Sequence, residues 1–361
     1  MSTEIRPFRV DVPQADLDDV ADRLARARWT DEISGAEDDY GVPVSRVREL
    51  AEHWRTGFDW RALEARLNAH PQFTTTIDGQ TIYFIHARSE QDDATPLILT
   101  HGWPGSVVEY LDVIEPLTAA GFHVVIPSMP GYGFSGPTTE TGWDNIRIAK
   151  AWVELMRRLG YERYGAVGND AGSMISPEVG RLDPEHCIGV HVTQLFSFPT
   201  GDPAELVDLT PDEQAAMAKL QWFWENMGAF NLLHSQSPQT IAHALADSPV
   251  ALLAWNSQLM LDQDDDFVVA NVATYWFTGT AGSAIRLYRE NQQAQHRPEG
   301  PTTLPVGLSS YTNDFQSIRR FAERDHADIR MWNVREGGGH YAAHDDTKVL
   351  VGDVIDFYRS L

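Results

Sequence analysis

The feature of the sequence most suggestive of chemistry is an aspartate between two glycines. Gly168-Asn169-Asp170-Ala171-Gly172 follows a short apolar run and precedes a plausible helix. A nucleophile on a strained strand-to-helix turn needs flanking glycines, because the backbone crosses closely there. A carboxylate is ionised near neutral pH and needs no base to attack. The pentapeptide predicts a nucleophile at Asp170, although a tight turn without function has the same pattern.

A second segment could stabilise negative charge next to this aspartate. His101-Gly102-Trp103-Pro104-Gly105 directly follows the apolar run 97–100. A loop in this position can present the backbone N–H of Trp103, which would join that of Ala171 in an oxyanion hole.

A histidine near the C-terminus is a candidate general base. His340 follows three glycines and a strand-like segment, 329–334. The order of Asp170, a carboxylate and then a late histidine is the nucleophile–acid–base order of a hydrolase triad. Asp314 is the expected acid because it follows the strand-like segment 305–309 at a suitable distance. Asp325 and Asp328 are rivals that lie closer to the last strand.

The elements that must position these residues can be predicted from hydrophobic periodicity. Helical spacing occupies 13–28, 45–54 and 59–69, and Asp78-Gly79 predicts a hairpin between two strands. From residue 96 strands alternate with helices, which predicts a mostly parallel sheet covered on both faces. One of these helices, 144–159, is expected to begin in a capping box from Thr141 to Asp144. Helical, aromatic-rich segments interrupt the alternation from about residue 200 to 301.

These patterns predict three parts of the chain. They are an N-terminal extension (1–92), an α/β core (93–199 and 302–361) and an inserted helical cap (200–301).

Composition excludes several classes of function. The 28 Lys and Arg against 52 Asp and Glu give a formal charge of −24. That charge argues against binding to nucleic acid or anionic lipid. The one cysteine, Cys187, permits neither an intramolecular disulfide nor a cysteine-based metal cluster. The first ten residues carry no apolar signal region and no apolar run is long enough to span a bilayer, so we expect a cytoplasmic protein.

Several motifs together resemble the epoxide hydrolases of the α/β-hydrolase fold, in their microsomal and juvenile-hormone-type subfamily. The resemblance covers almost the whole chain and includes the acidic turn at Asp170. The other motifs are HGWPGS (101–106), PGYGFS (130–135), YWFTGT (275–280), YREN (288–291) and GGHYAA (338–343). The resemblance implies an α/β-hydrolase fold with a helical cap, and neither a cofactor nor a metal.

The resemblance also implies a two-step reaction on a small epoxide, which we expect to be apolar or aromatic. Asp170 would form an alkyl ester, and His340, oriented by Asp314, would activate the water that cleaves it. Tyr288 matches a cap tyrosine that donates to the ring oxygen.

The chain departs from the subfamily pattern at the second cap tyrosine. Phe230 occupies that position and cannot donate a hydrogen bond. Tyr275 is a possible substitute donor, and Trp222 is expected in the substrate pocket. A homodimer is possible.

Other functions remain open on the sequence alone. Haloalkane dehalogenases share the aspartate but commonly place a tryptophan after it, where this chain has Ala171. A serine esterase is disfavoured because serine is absent from the turn. A binding protein would have little reason to keep Asp170, Asp314 and His340. Phe230 keeps one further alternative open, an epoxide-opening enzyme of specialised metabolism whose final nucleophile is not water.

Overall fold

The architecture was obtained from a computed structural model that describes residues 3–36, 38–294 and 300–361. Within these residues nine strands form one sheet in the order β1-β2-β3-β5-β4-β6-β7-β8-β9. The strands are β1 Arg6–Phe8, β2 Gln72–Ile77, β3 Gln80–Ala87, β4 Thr95–Thr100, β5 Phe122–Pro127, β6 Tyr164–Gly168, β7 Cys187–Val192, β8 Val306–Tyr311 and β9 Ile329–Arg335. Strands β1, β2, β3 and β5 pair antiparallel, and the pairs from β5 through β4 to β9 are parallel. The predicted mostly parallel sheet is confirmed.

The hairpin predicted at Asp78-Gly79 joins β2 and β3. Both turn residues have positive φ, 49° at Asp78 and 78° at Gly79, which is the backbone of a tight two-residue hairpin turn. The short strand β1 was not predicted, since three residues are too few to show a period. It pairs with β2 and makes the N-terminal extension part of the sheet.

Helices cover the sheet and form the cap. The helices of the extension and core are α1 Gln14–Ala25, α2 Val44–Thr56, α3 Trp60–Asn68, α4 Leu111–Ala119, α5 Asn145–Arg158, α6 Ala171–Leu182, α14 Arg319–Asp325, α15 Ala342–Asp345 and α16 Thr347–Arg359. Helix α4 packs against α16, and α5 packs against α6. The predicted capping box of α5 is wrong, because Asp144 itself is the N-cap and accepts from the N–H of Arg147 at 2.8 Å.

In the described part of the chain between β7 and β8, the cap consists of seven helices. They are α7 Pro211–Asn226, α8 Ala229–Gln236, α9 Pro238–Asp247, α10 Pro249–Ser257, α11 Asp265–Thr278, α12 Ala281–Ala284 and α13 Arg286–Gln293. Helix α11 is the most enclosed of them, with nine consecutive buried residues from Phe267 to Tyr275. Helix α7 has no buried residue.

The N-terminal extension packs against helix α11 of the cap. Trp54 on α2 and Trp60 on α3 contact Trp276 and Phe277 of α11, with ring centroids 6.4 and 4.6 Å apart. Arg46 on α2 forms an ion pair with Asp265 at the start of α11, at 2.7 Å. The extension therefore holds the same helix that contacts the loop after β4.

None of the described helices combines the length and apolar character that crossing a membrane requires.

Candidate active site

Asp170 lies on a strained turn between β6 and α6. Its φ of 53° and ψ of −118° are rare for a residue with a side chain. A Cβ atom at position 168 would come within 2.0 Å of the Gly172 carbonyl oxygen, and one at 172 within 1.8 Å of the Thr100 carbonyl oxygen. Both glycines are therefore required by the close crossing of the backbone, as the sequence pattern predicted.

The loop after β4 presents backbone N–H groups to the Asp170 carboxylate. The N–H of Trp103 donates to Asp170 Oδ1 at 3.0 Å. A Cβ atom at position 102 would lie 2.0 Å from the same oxygen, so only glycine fits there. The buried His101 fixes the loop, since Nδ1 donates to the Gly102 carbonyl at 3.0 Å and Nε2 accepts from the N–H of Met129 at 3.3 Å. Burial lowers the pKa of His101 to about 4, so this histidine is neutral.

His340 lies between two carboxylates. Its Nδ1 is 3.0 Å from Asp314 Oδ1, and its Nε2 is 3.7 Å from Asp170 Oδ2. The structure therefore brings the three predicted triad residues together. The rivals of Asp314 are engaged elsewhere, Asp325 with Arg324 at 2.7 Å and Asp328 with Arg330 at 2.9 Å.

Gln194, at the end of β7, connects the nucleophile to the acid. Its Oε1 accepts from the Asp170 N–H at 2.9 Å, and its Nε2 donates to Asp314 Oδ2 at 2.5 Å. The same Nε2 donates to the side chain of Asn169 at 2.9 Å. One amide thus holds the nucleophile turn and the acid at a fixed separation.

The electrostatics of the site favour an imidazolium between anions. Burial would lower the pKa of His340, but the charges of Asp314, Asp170 and Glu109 and the hydrogen bond that His340 donates to Asp314 outweigh it and raise the pKa to about 10. Burial raises the pKa of Asp170 above its usual value despite His340 and the two N–H groups of Trp103 and Ala171. Its side chain is nevertheless 23% accessible, so the carboxylate can be reached within the site.

Four aromatic rings pack against one another at Trp103 of the loop after β4, and we call Trp103, Phe230, His234 and Tyr288 the aromatic cage. Phe230 is stacked on Trp103, with centroids 5.4 Å apart and planes at 23°. Tyr288 meets Trp103 and Phe230 edge to face at 6.0 and 5.9 Å. Within the described residues the Tyr288 hydroxyl has no hydrogen-bond partner and is free to donate to a ligand. Burial, and then the charge of Asp170, raise the pKa of Tyr288 well above its usual value, so the hydroxyl keeps its proton.

The residues after Tyr288 fix the helix that carries it. Arg289 donates to the Gln236 carbonyl at 2.9 Å and so ties α13 to α8. Glu290 accepts from the N–H of Gly142 at 2.7 Å, and Asn291 donates to Asn145 at 3.0 Å. The Tyr-Arg-Glu-Asn motif thus combines one site residue with three anchors.

Comparison with known proteins identifies the family of the chain. Residues 5–110 match the family described as epoxide hydrolase N terminus, and residues 95–276 match the α/β hydrolase fold. A putative epoxide hydrolase of Stigmatella aurantiaca is 39% identical over 99% of this chain and 85% of the relative. The chain belongs to the epoxide hydrolases.

Two further relatives confirm the subfamily and the fold. Juvenile hormone epoxide hydrolase 1 of Ctenocephalides felis is 28% identical, over 97% of this chain and 85% of the relative. The solved structure of Aspergillus niger epoxide hydrolase is 31% identical, covers 99% of this chain and 96% of its own, and superimposes with a TM-score of 0.88. Members of this family act on epoxides, and this chain is an enzyme of that class.

Two of the pocket residues expected from the sequence are not part of the aromatic cage of this epoxide hydrolase. The Tyr275 hydroxyl donates to the Gly105 carbonyl at 2.5 Å, so its proton is engaged by the oxyanion loop. Trp222 lies on α7 with 57% of its surface exposed. Phe230, in contrast, is buried against Trp103, as expected for a pocket residue.

Sequence reasoning missed Gln194, Glu109 and His234. Gln194 is a polar residue at the carboxyl end of a predicted parallel strand, and that position could have marked it. Glu109 and His234 carry no such signal, because each lies within a helical turn and its burial depends on tertiary packing. Among the described residues no group of three or more His, Cys, Asp or Glu is arranged to hold a metal ion.

Proposed function

We propose that this enzyme hydrolyses an epoxide to a vicinal diol through an ester on Asp170. The single observation that supports these assignments best is the placement of His340 between Asp170 and Asp314. In the first step a carboxylate oxygen of Asp170 attacks an epoxide carbon and the carbon–oxygen bond of the ring breaks. The ring oxygen takes the developing negative charge, and Tyr288 donates to it.

In the second step water cleaves the ester. His340 Nε2 takes a proton from a water molecule, whose oxygen attacks the carbonyl carbon of the Asp170 ester. The N–H groups of Trp103 and Ala171 stabilise the oxyanion of the tetrahedral intermediate. Its collapse regenerates the Asp170 carboxylate and releases the diol. The proton that His340 takes from water replaces the one that it releases after ring opening, so His340 and Tyr288 return to their starting protonation states.

The charge of Asp170 provides a reason for this order of events. In the free enzyme the Asp170 carboxylate helps to hold a proton on His340. Ester formation removes that negative charge, so the pKa of His340 falls. The imidazolium then releases its proton, which replaces the one that Tyr288 passed to the ring oxygen, and the neutral imidazole can accept a proton from water. Formation of the Asp170 ester thus prepares His340 to act as the base in the second step.

The aromatic cage supports an apolar or aromatic epoxide as the substrate. Its rings offer apolar surface beside Asp170, and its polar groups can fix the orientation of a small ligand. A homodimer stays a prediction, and sedimentation velocity of the full chain measures it.

A single-turnover reaction with styrene oxide in oxygen-18 water tests the ester mechanism. We expect oxygen-18 in the Asp170 carboxylate and an unlabelled diol after the first turnover, because water attacks the ester carbonyl. Absence of both label and diol would contradict the mechanism. An ester that persists in the wild-type protein without forming diol favours a nucleophile other than water.

Two variants assign the residues. Asp170→Asn should abolish ester formation, with deamidation excluded by mass spectrometry. His340→Gln should accumulate the ester, seen on the intact protein as an increase equal to the mass of styrene oxide. His186→Gln is the matched control, since His186 pairs with Asp183 at 2.6 Å on the surface and should leave both steps unchanged.

A further inference from the structure

One buried N–H group in the aromatic cage has no acceptor. His234 lies on α8, one helical turn after Phe230, and its side chain is fully buried. Within the described residues its Nδ1 has no hydrogen-bond partner. A buried donor without an acceptor destabilises the folded protein. Such a group in a folded protein requires an explanation, and a ligand that accepts the bond is one.

The tautomer of His234 is determined by its other nitrogen. The indole Nε1 of Trp255 lies 2.9 Å from His234 Nε2, and an indole N–H only donates. His234 Nε2 is therefore the acceptor, and the proton of the neutral ring is on Nδ1. Burial lowers the pKa of His234 to about 3, so the ring remains neutral at working pH.

The His234 ring is part of the aromatic cage. Its centroid is 4.7 Å from that of Trp103 and 4.9 Å from that of Tyr288, in both cases edge to face. The backbone N–H of the same Trp103 donates to Asp170. The phenyl ring of Phe230, at 5.9 Å, contributes apolar surface and no donor. The cage thus contains a tyrosine hydroxyl and an imidazole N–H, both without partners in the described structure.

We propose that His234 Nδ1–H is a second hydrogen-bond donor to the epoxide oxygen, acting together with Tyr288. The inference rests on the proposed function, because it assigns a residue to the ring-opening step. As the carbon–oxygen bond breaks, negative charge on the ring oxygen strengthens the bonds from both donors. His234 stays neutral throughout, and the alkoxide takes its proton from Tyr288. Trp255 is the positioning residue that keeps the proton of His234 on Nδ1.

The test compares three substitutions at His234 by rapid-quench mass spectrometry of ester formation with styrene oxide. Asparagine places an amide N–H near the position of Nδ1, whereas glutamine places its amide near Nε2, and phenylalanine supplies neither. Loss of one oxyanion donor costs about 10²–10³-fold in rate. We expect losses of about that size in His234→Phe and His234→Gln, and a clearly smaller loss in His234→Asn. The rate of ester hydrolysis should change little in all three.

A purely structural role for His234 predicts the opposite order. His234→Gln keeps an acceptor for Trp255 and would then be the mildest change, and ester formation and hydrolysis would decline together. A second tyrosine should also compensate, so that Phe230→Tyr recovers ester formation in the His234→Phe background. Wild-type turnover with an unchanged ester rate in His234→Phe would overturn the inference alone. Absence of the ester in the wild-type protein would overturn the proposed function as well.

Discussion

At the scale of single residues, the site depends on two groups of opposite charge 3.7 Å apart. The Asp170 carboxylate and the His340 imidazolium stabilise each other's charged forms, and Asp314 stabilises the imidazolium from the other side. Burial raises the pKa of Asp314, but His340 and the amide of Gln194 outweigh it and lower that pKa. Asp314 therefore remains an anion when His340 loses its proton.

Asp170→Asn should lower the pKa of His340 from about 10, because it removes one of the anions that hold the proton. Asparagine has nearly the shape of aspartate and, like the ester, no charge. The pKa is measured by nitrogen-15 NMR titration of the imidazole. Asp183→Asn is the control. Asp183 raises the pKa of His186, so its replacement should lower the pKa of His186 and leave the pKa of His340 unchanged. An unchanged His340 pKa in Asp170→Asn would contradict the activation of the base by ester formation.

At the scale of secondary-structure elements, helix α11 connects the cap to the oxyanion loop. The Tyr275 hydroxyl donates to the Gly105 carbonyl at 2.5 Å, and Ser106 donates to Asn271 at 2.7 Å. Both bonds are buried and join α11 to the segment that contains Trp103. The position of the oxyanion hole thus depends on a helix of the cap.

Tyr275→Phe should lower the rate of ester formation by less than about tenfold, because it removes a loop anchor worth about 0.5–1.5 kcal/mol. A direct donor to the epoxide would cost about 10²–10³-fold. Rapid-quench measurement of the ester separates the two outcomes. Tyr40→Phe is the matched control, as Tyr40 is 80% exposed.

Contact between the extension and the cap should contribute strongly to stability. Trp60 is 4% exposed and packs on Phe277, so Trp60→Ala should lower the free energy of unfolding by about 3–5 kcal/mol. Denaturant titration measures this change. Trp222→Ala, at a residue that is 57% exposed, should change the free energy by no more than about 0.5 kcal/mol. Equal losses of unfolding free energy in Trp60→Ala and Trp222→Ala would contradict a stabilising contact between the extension and the cap.

The sequence was informative where the chemistry requires a local pattern. The glycines around Asp170, the turn at Asp78-Gly79 and the order of the triad follow from backbone geometry and chain direction, and each is read within a few residues. The short strand β1 depends on pairing with β2, which lies more than sixty residues away. His234 depends on the packing of α8, α10 and α13 around it. Neither strand β1 nor the position of His234 could be predicted, because hydrophobic periodicity and short motifs do not show which distant residues come into contact.

At the scale of the whole molecule, charge makes stability depend on pH. Glu109 is fully buried beside the site, and burial raises its pKa to about 8 despite His340. Its folded form therefore holds a proton that the unfolded chain releases above about pH 4.5. The stabilisation is complete below that pH and is lost as the pH rises through 8. The raised pKa of His340 affects stability in the same direction. Its contribution is complete below about pH 6.5 and is lost as the pH rises through about 10.

Glu109→Gln should gain thermal stability relative to the wild-type protein as the pH rises from 5 to 8. The neutral amide avoids the cost of a buried carboxylate, and at pH 5 the two proteins are alike in charge at this position. Melting temperatures at several pH values measure the difference. Glu154→Gln should be less stable than the wild type at pH 5 and above, since Arg157 and then Arg158 hold the pKa of Glu154 at about 2. A gain for Glu109→Gln that does not depend on pH would contradict the assignment.

Helices α11 and α7 of the cap are held in different ways. Helix α11 contacts Trp54, Trp60 and Arg46 of the extension, and its Tyr275 donates to Gly105. These contacts argue against movement of the whole cap as a hinged lid. Helix α7 is held differently, by exposed polar contacts such as those from Lys219 to the carbonyls of Thr312 and Asp314 at 3.1 and 2.7 Å. Such contacts are weak and are exchanged readily for water. Because Phe223 of α7 also contacts Phe230 of the aromatic cage, we expect substrate and diol to pass where α7 moves locally, without movement of the whole cap.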